Sequence, residues 1–171
     1  MAIRILKETG ASRSAGYKVT ANVSILPGNA VVLGADEETI KLPASGTSEE
    51  ILGLALDSNV MFPFQSATPD QTMGNGYDYL NYNRQGLVSV FNNGGEVELF
   101  DDKRLADGLS HPVIYGGTFT LNIPVYANCT SGTSTQLGFI TEVATTNKRI
   151  GRVTGVFGTG ADLVLRIIVE I

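Results

Sequence analysis

The densest chemistry in this chain is carboxylate: Glu96 and Glu98, with Asp101 and Asp102 just downstream. Two residues apart on an extended strand, Glu96 and Glu98 share one face at roughly 7 Å. Glycosidases need two such carboxylates, so a hydrolase using Glu96 or the Asp101-Asp102 pair is one reading. The other is structural. Glu96 and Glu98 alternate with Val97 and Leu99, the pattern of a strand with one solvated face. That account needs no reaction and is the one we adopt.

The remaining reactive residues are isolated. His111, beside Pro112, is the only histidine, and Cys129 is the only cysteine, so a zinc site of nitrogen and sulfur ligands lacks its donors. Cys129 cannot form an internal disulfide; it reads as a small buried side chain in a reducing compartment. Ser110 adjoins His111, but a triad also requires an orienting acid and an oxyanion hole, and no G-x-S-x-G occurs. Gly158-Thr159-Gly160-Ala161-Asp162-Leu163 begins as G-x-G-x-x-G, departs at the last position and leads into a strand, so it reads as a hairpin turn. Asp36-Glu37-Glu38 and Glu49-Glu50 offer oxygen donors for calcium but lack EF-hand spacing. Asn128-Cys129-Thr130 matches a glycosylation sequon; with no signal peptide ahead of it, the match reads as chance. The expectation is a protein that is not an enzyme and carries no metal or cofactor.

Binding residues are the alternative to catalytic ones. Met61, Phe62 and Phe64, then Tyr77, Tyr79 and Tyr82, lie among Asn and Gly in residues 57–83. Such mixtures of aromatic and small residues make adaptable contact surfaces; the same residues could equally fold back as a satellite of the core. Ile3 and Ile5 alternate with polar residues at the head of an arm, 1–16, that reads as a first strand, a tail docking on a neighbour, or a flexible terminus.

Charge narrows the partners. The formal net charge is −5 and the charged fraction 17%. Arg and Lys are scattered singly apart from Lys103-Arg104 and Lys148-Arg149, so no basic footprint for nucleic acid is visible. No run approaches the ~18 apolar residues of a membrane span, and residues 1–16 lack the apolar stretch of a signal peptide. The chain therefore reads as made in the cytoplasm, with neither nucleic acid nor membrane as partner.

The elements that must position these residues read as short strands. Hydrophobic residues make up 43% and glycines number 20, the make-up of strands joined by tight turns. Strand signals begin at Tyr17. Val19, Val23 and Ile25 lead to the turn Pro27-Gly28-Asn29; Ala30 to Leu33 follow, and Ile40 alternates with Leu42. Ile51 to Leu56 is read as a buried strand because Gly53 is central and the run is short, although Thr47 and Glu50 fit a helix capping box. Leu87 to Phe91, the hairpin signal Asn92-Asn93-Gly94-Gly95, and Val97 with Leu99 come next. Asp101 to Gly108 could make one helical turn. Phe119, Leu121, Ile123 and Val125 alternate as a strand with one wet face, with Pro124 expected on an edge. Leu163 to Ile171 reads as a central strand. The expected fold is all-β: a small antiparallel barrel or sandwich, with an N-terminal arm (1–16), a β domain (17–171) and one long loop, and the alternative of two small lobes split near residue 80. Ser45-Gly46-Thr47-Ser48 before Leu52-Gly53, and Ser131-Gly132-Thr133-Ser134 before Leu137-Gly138, mark either a duplicated strand–turn–strand unit or turns reusing the same residues.

The succession Pro27-Gly28-x-x-Val31-Val32-Leu33, then Ile51-Leu52-Gly53-Leu54-Ala55, then Gly86 to Leu99 (GLVSVFNNGGEVEL), with Leu137 to Glu142 and Arg166 to Ile171 late in the chain, resembles small bacteriophage capsid decoration (cement, head-stabilising) proteins. The resemblance covers residues 25–56, 84–100 and 115–171 and rests on patterns, not on a signature motif; the arm and the 57–83 segment depart from it. It implies a virion structural protein on the capsid surface, bound to the major capsid protein and to itself as a homo-oligomer, often a trimer, where capsid subunits meet. The alternative is a carbohydrate- or receptor-binding module of a phage tail or head fibre, with Tyr77, Tyr79 and Tyr82 stacking on sugars.

Overall fold

The computed structural model describes residues 3–8, 13–21, 23, 25–44, 49–57, 87–92, 94–100, 114, 118–129, 137–159 and 162–171. Among them the fold is all-β, with no α-helix. The strands are β1 (Ile3–Lys7), β2 (Arg13–Val19), β3 (Ala30–Leu33), β4 (Thr39–Lys41), β5 (Gly53–Ala55), β6 (Leu87–Phe91), β7 (Gly95–Phe100), β8 (Pro124–Ala127), β9 (Ile140–Thr141), β10 (Lys148–Phe157) and β11 (Val164–Val169). They make two units: a closed barrel in the order β2-β4-β3-β5-β6, and a six-stranded sheet in the order β1-β7-β11-β10-β8-β9.

Short alternating strands form the barrel because each has one apolar side to bury. Val31, Ile40, Ala55, Val88 and Val90 fill its interior with Ile25, and Tyr17, Val19 and Leu42 pack against them. The neighbours are antiparallel except β2 and β4, which run parallel with Lys18 opposite Thr39 and Val19 opposite Ile40. Antiparallel pairing of β2 with β6 completes the ring, so no barrel edge is left open. At Leu26–Asn29 the chain makes a type II turn: Pro27 fixes the first corner, Gly28 takes φ 95°, and the Asn29 N–H donates to the Leu26 carbonyl at 3.0 Å.

All pairs in the sheet are antiparallel. Val97 and Leu99 of β7, Leu165, Ile167 and Val169 of β11, Ile150 and Val153 of β10 and Val125 of β8 face inward. There they meet Ala30, Val32, Ile51, Leu54 and Phe91 from the barrel strands and their flanks in one continuous core. Barrel and sheet are therefore two layers around shared apolar surface.

Within the 1–16 segment the described residues form β1 and the start of β2, the first-strand alternative: Ile3 is 1% exposed and lies opposite Leu99, because burying the Ile3 and Ile5 stripe outweighs leaving it in water. Other sequence expectations change. Asn92 to Gly95 is not a hairpin, since β6 pairs with β2 and β5 while β7 pairs with β1 and β11. The turn hands the chain from barrel to sheet, with Gly94 at φ 74° donating to the Val169 carbonyl at 3.1 Å. β6 is thus the last barrel strand before the chain enters the sheet at β7, while β1 also belongs to the sheet. Residues 118–123 are a turn before β8 and not a strand: Asn122 takes φ 66° and Leu121 is exposed. Pro124 opens β8 opposite Arg152, and β9 reaches only Tyr126 and Ala127, so the proline occupies a strand start with no β9 partner. The two Leu-Gly pairs are not equivalent: Gly53 lies inside β5, whereas Gly138 sits in a turn at φ 76°. Both S-G-T-S stretches, the capping threonine Thr47 and the 101–108 segment lie outside the described residues.

Candidate interaction surface

The side chains that alternate with the sheet's core residues gather on its outer face. On β7 these are Glu96 and Glu98; on β11, Arg166 and Ile168; on β10, Arg149, Arg152 and Thr154; on β1, Arg4. Register aligns them in rows, with Arg4 opposite Glu98 and Glu98 opposite Arg166. In the next row Glu96 faces Ile168, which faces Arg152.

Glu98 is not on a solvated hairpin face, as its alternation implied. It is 7% exposed, and its two oxygens are divided between strands: Arg4 Nη2 bonds Oε1, and Arg166 Nε donates to Oε2 at 2.8 Å. Burial against two guanidinium groups explains why a charge can sit there. Glu96 Oε1 accepts from Thr154 Oγ1 at 2.5 Å. Glu170 links the far side, accepting from Arg149 at 2.7 Å and pairing with Arg152 at 3.1 Å. The Arg166 guanidinium also lies 4.6 Å from the centroid of the exposed Phe157 ring, a cation–π contact. The carboxylates are thus cross-strand ties, and the arginines keep unused N–H donors turned to solvent.

Of the residues singled out for binding, Ile3 is in the core and Ile5 is half-buried against it. Met61, Phe62, Phe64, Tyr77, Tyr79 and Tyr82 lie outside the described residues, as do His111, Ser110, Asp101 and Asp102. Cys129 is buried, its Sγ donating to the Ala127 carbonyl at 3.3 Å. Desolvation raises its thiol pKa, Glu49 adds to the rise, and the Lys148 backbone and charge oppose it, the condition of an inert thiol. The acidic turn Asp36-Glu37-Glu38 joins β3 to β4, with Lys18 Nζ 3.5 Å from Glu38 Oε2. Among the described residues no group of three or more His, Cys, Asp or Glu is placed to hold a metal.

Sequence reading missed the arginine face because Arg4, Arg149, Arg152 and Arg166 are far apart along the chain; only strand pairing collects them. The available signal was local: Arg152 and Arg166 each interrupt an apolar strand at the position that alternation turns outward. No protein-family model and no curated protein matches this chain.

Proposed function

We propose that this protein is a structural, protein-binding component of a bacteriophage virion, a decoration protein that binds and stabilises the capsid shell as a homo-oligomer. The observation that carries the protein-binding part is the outer sheet face, where exposed arginines are tied by Glu98 and Glu170 and Phe157 lies against the Arg166 guanidinium. Arginine and aromatic side chains are the residues that anchor protein interfaces. Holding them in place before contact lowers the ordering cost of association. The capsid as partner is supported by the resemblance of residues 25–56, 84–100 and 115–171 to phage decoration proteins. Repetition over a lattice would add modest contacts into strong attachment.

The test is sedimentation of shells assembled from the major capsid protein of the phage carrying this gene, with and without the purified chain. The expected result is saturable co-sedimentation at a fixed ratio of chain to shell subunit. A chain that stays in the supernatant at every concentration contradicts the proposal.

A further inference from the structure

The protein-binding reading leaves open what the sheet face binds, and charge gives an answer. Arg4, Arg149, Arg152 and Arg166 share that face with Glu96, Glu98 and Glu170, a surplus of one positive charge on a chain of formal net charge −5. The four arginine side chains remain 38–60% exposed despite their ion pairs. Each guanidinium has five N–H donors, more than its ion-pair partners occupy, and its fork suits carboxylates. The barrel carries the opposite charge. Its β3–β4 turn presents Asp36, Glu37 and Glu38, all exposed, on a tight frame: Gly34 N–H donates to the Thr39 carbonyl at 2.8 Å and Glu38 N–H to Asp36 Oδ1 at 3.2 Å. Each surface also has an exposed apolar side chain next to its charges, Phe157 (48%) beside Arg166 and Leu33 (41%) beside the acidic turn.

We infer that the outer sheet face is a docking surface for a second copy of this chain, which inserts its acidic β3–β4 turn among Arg149, Arg152 and Arg166 and sets Leu33 against Phe157. The contact joins two different surfaces, so it is head-to-tail. An open chain of copies keeps one unused face at one end and one unused turn at the other until a ring closes. The inference deepens the homo-oligomer part of the proposed function and is independent of which shell the protein binds.

The experiment is light scattering of the full chain at concentrations up to roughly 1 mM, in low salt and in about 1 M NaCl, where charge attraction is screened within a few ångströms. Two neutralised variants accompany it: Arg149→Ala/Arg152→Ala on the face and Glu37→Ala/Glu38→Ala on the turn, each checked by circular dichroism. The unmodified chain is expected to form a multiple of its 18.1 kDa mass in low salt and return to 18.1 kDa in high salt. Each variant alone should be a monomer. Their equimolar mixture should stop at two copies, since one supplies the only intact face and the other the only intact turn. A chain that is monomeric in low salt, an assembly indifferent to salt, or a mixture that stays monomeric overturns the inference. If the face variant fails to fold, the salt titration of the unmodified chain and the turn variant still decide it. Shell sedimentation run on the same variants separates the two proposals: a variant monomer that still binds shells removes the head-to-tail contact from the shell-binding mechanism without touching shell binding itself.

Discussion

Glu98 is the side chain on which three strands converge, and the cost of removing it is not symmetric with the cost of removing either partner. Glu98→Ala takes the common acceptor from Arg4 and Arg166 and should destabilise the fold by about 2 kcal/mol, the range for hydrogen bonds to charged groups. Arg4→Ala should cost less than about 1 kcal/mol, because the Arg4 side chain is 60% exposed and the remaining Glu98–Arg166 pair is intact. Urea unfolding of the two variants measures the difference; equal losses would mean that Glu98 is not the shared anchor. Cys129 gives a second prediction at this scale. Its folded pKa is raised, so its contribution to stability is fully present below the ordinary thiol value and is lost as pH rises through the higher folded value. A thiol reagent at neutral pH should therefore modify the native protein only as fast as it opens, which a comparison of modification and unfolding rates will establish.

Gly95 governs how the elements connect. A Cβ there would run into the Lys7 carbonyl and the Phe91 ring, at the point where the chain leaves the barrel for the sheet. Gly95→Ala should cost about 1–3 kcal/mol through overpacking, whereas Ala at the exposed Thr159 should be near neutral; thermal melts of both variants check this. The same junction explains what the sequence could and could not disclose about the elements. Strands β3, β5, β6, β7 and β11 were legible because their apolar residues alternate or run together within a few positions, and Gly158 signalled the β10–β11 hairpin correctly. Which strand pairs with which was not legible. Asn92-Asn93-Gly94-Gly95 has the composition of a hairpin turn, yet the partners of β6 and β7 are chosen by a core that Phe91 shares with both units. The 118–125 alternation misled for a different reason: Asn122 and Ile123 still bond Val153 of β10, but Asn122 takes φ 66°, and periodicity does not report where the backbone turns. The arginine face was illegible because it exists only after β1, β7, β11 and β10 are placed side by side.

At the scale of the whole molecule, barrel and sheet share one apolar core, so they should unfold together. Phe91 is fully buried where the two meet. Phe91→Ala should lower the single unfolding transition by about 3–5 kcal/mol without splitting it; two separated transitions in calorimetry would show that the units are independent. Unfolding as one unit would suit the proposed role of holding neighbours in place. The barrel closes on itself, and the sheet offers a braced face of arginine and phenylalanine. The most direct test of that account is the melting of capsid shells, recorded by calorimetry with and without saturating amounts of this chain. A reinforcing protein bound to the assembled shell raises the shell transition by mass action, and a rise that saturates at a fixed ratio of chain to shell subunit is the predicted result. An unchanged shell transition at every ratio would contradict the role assigned here.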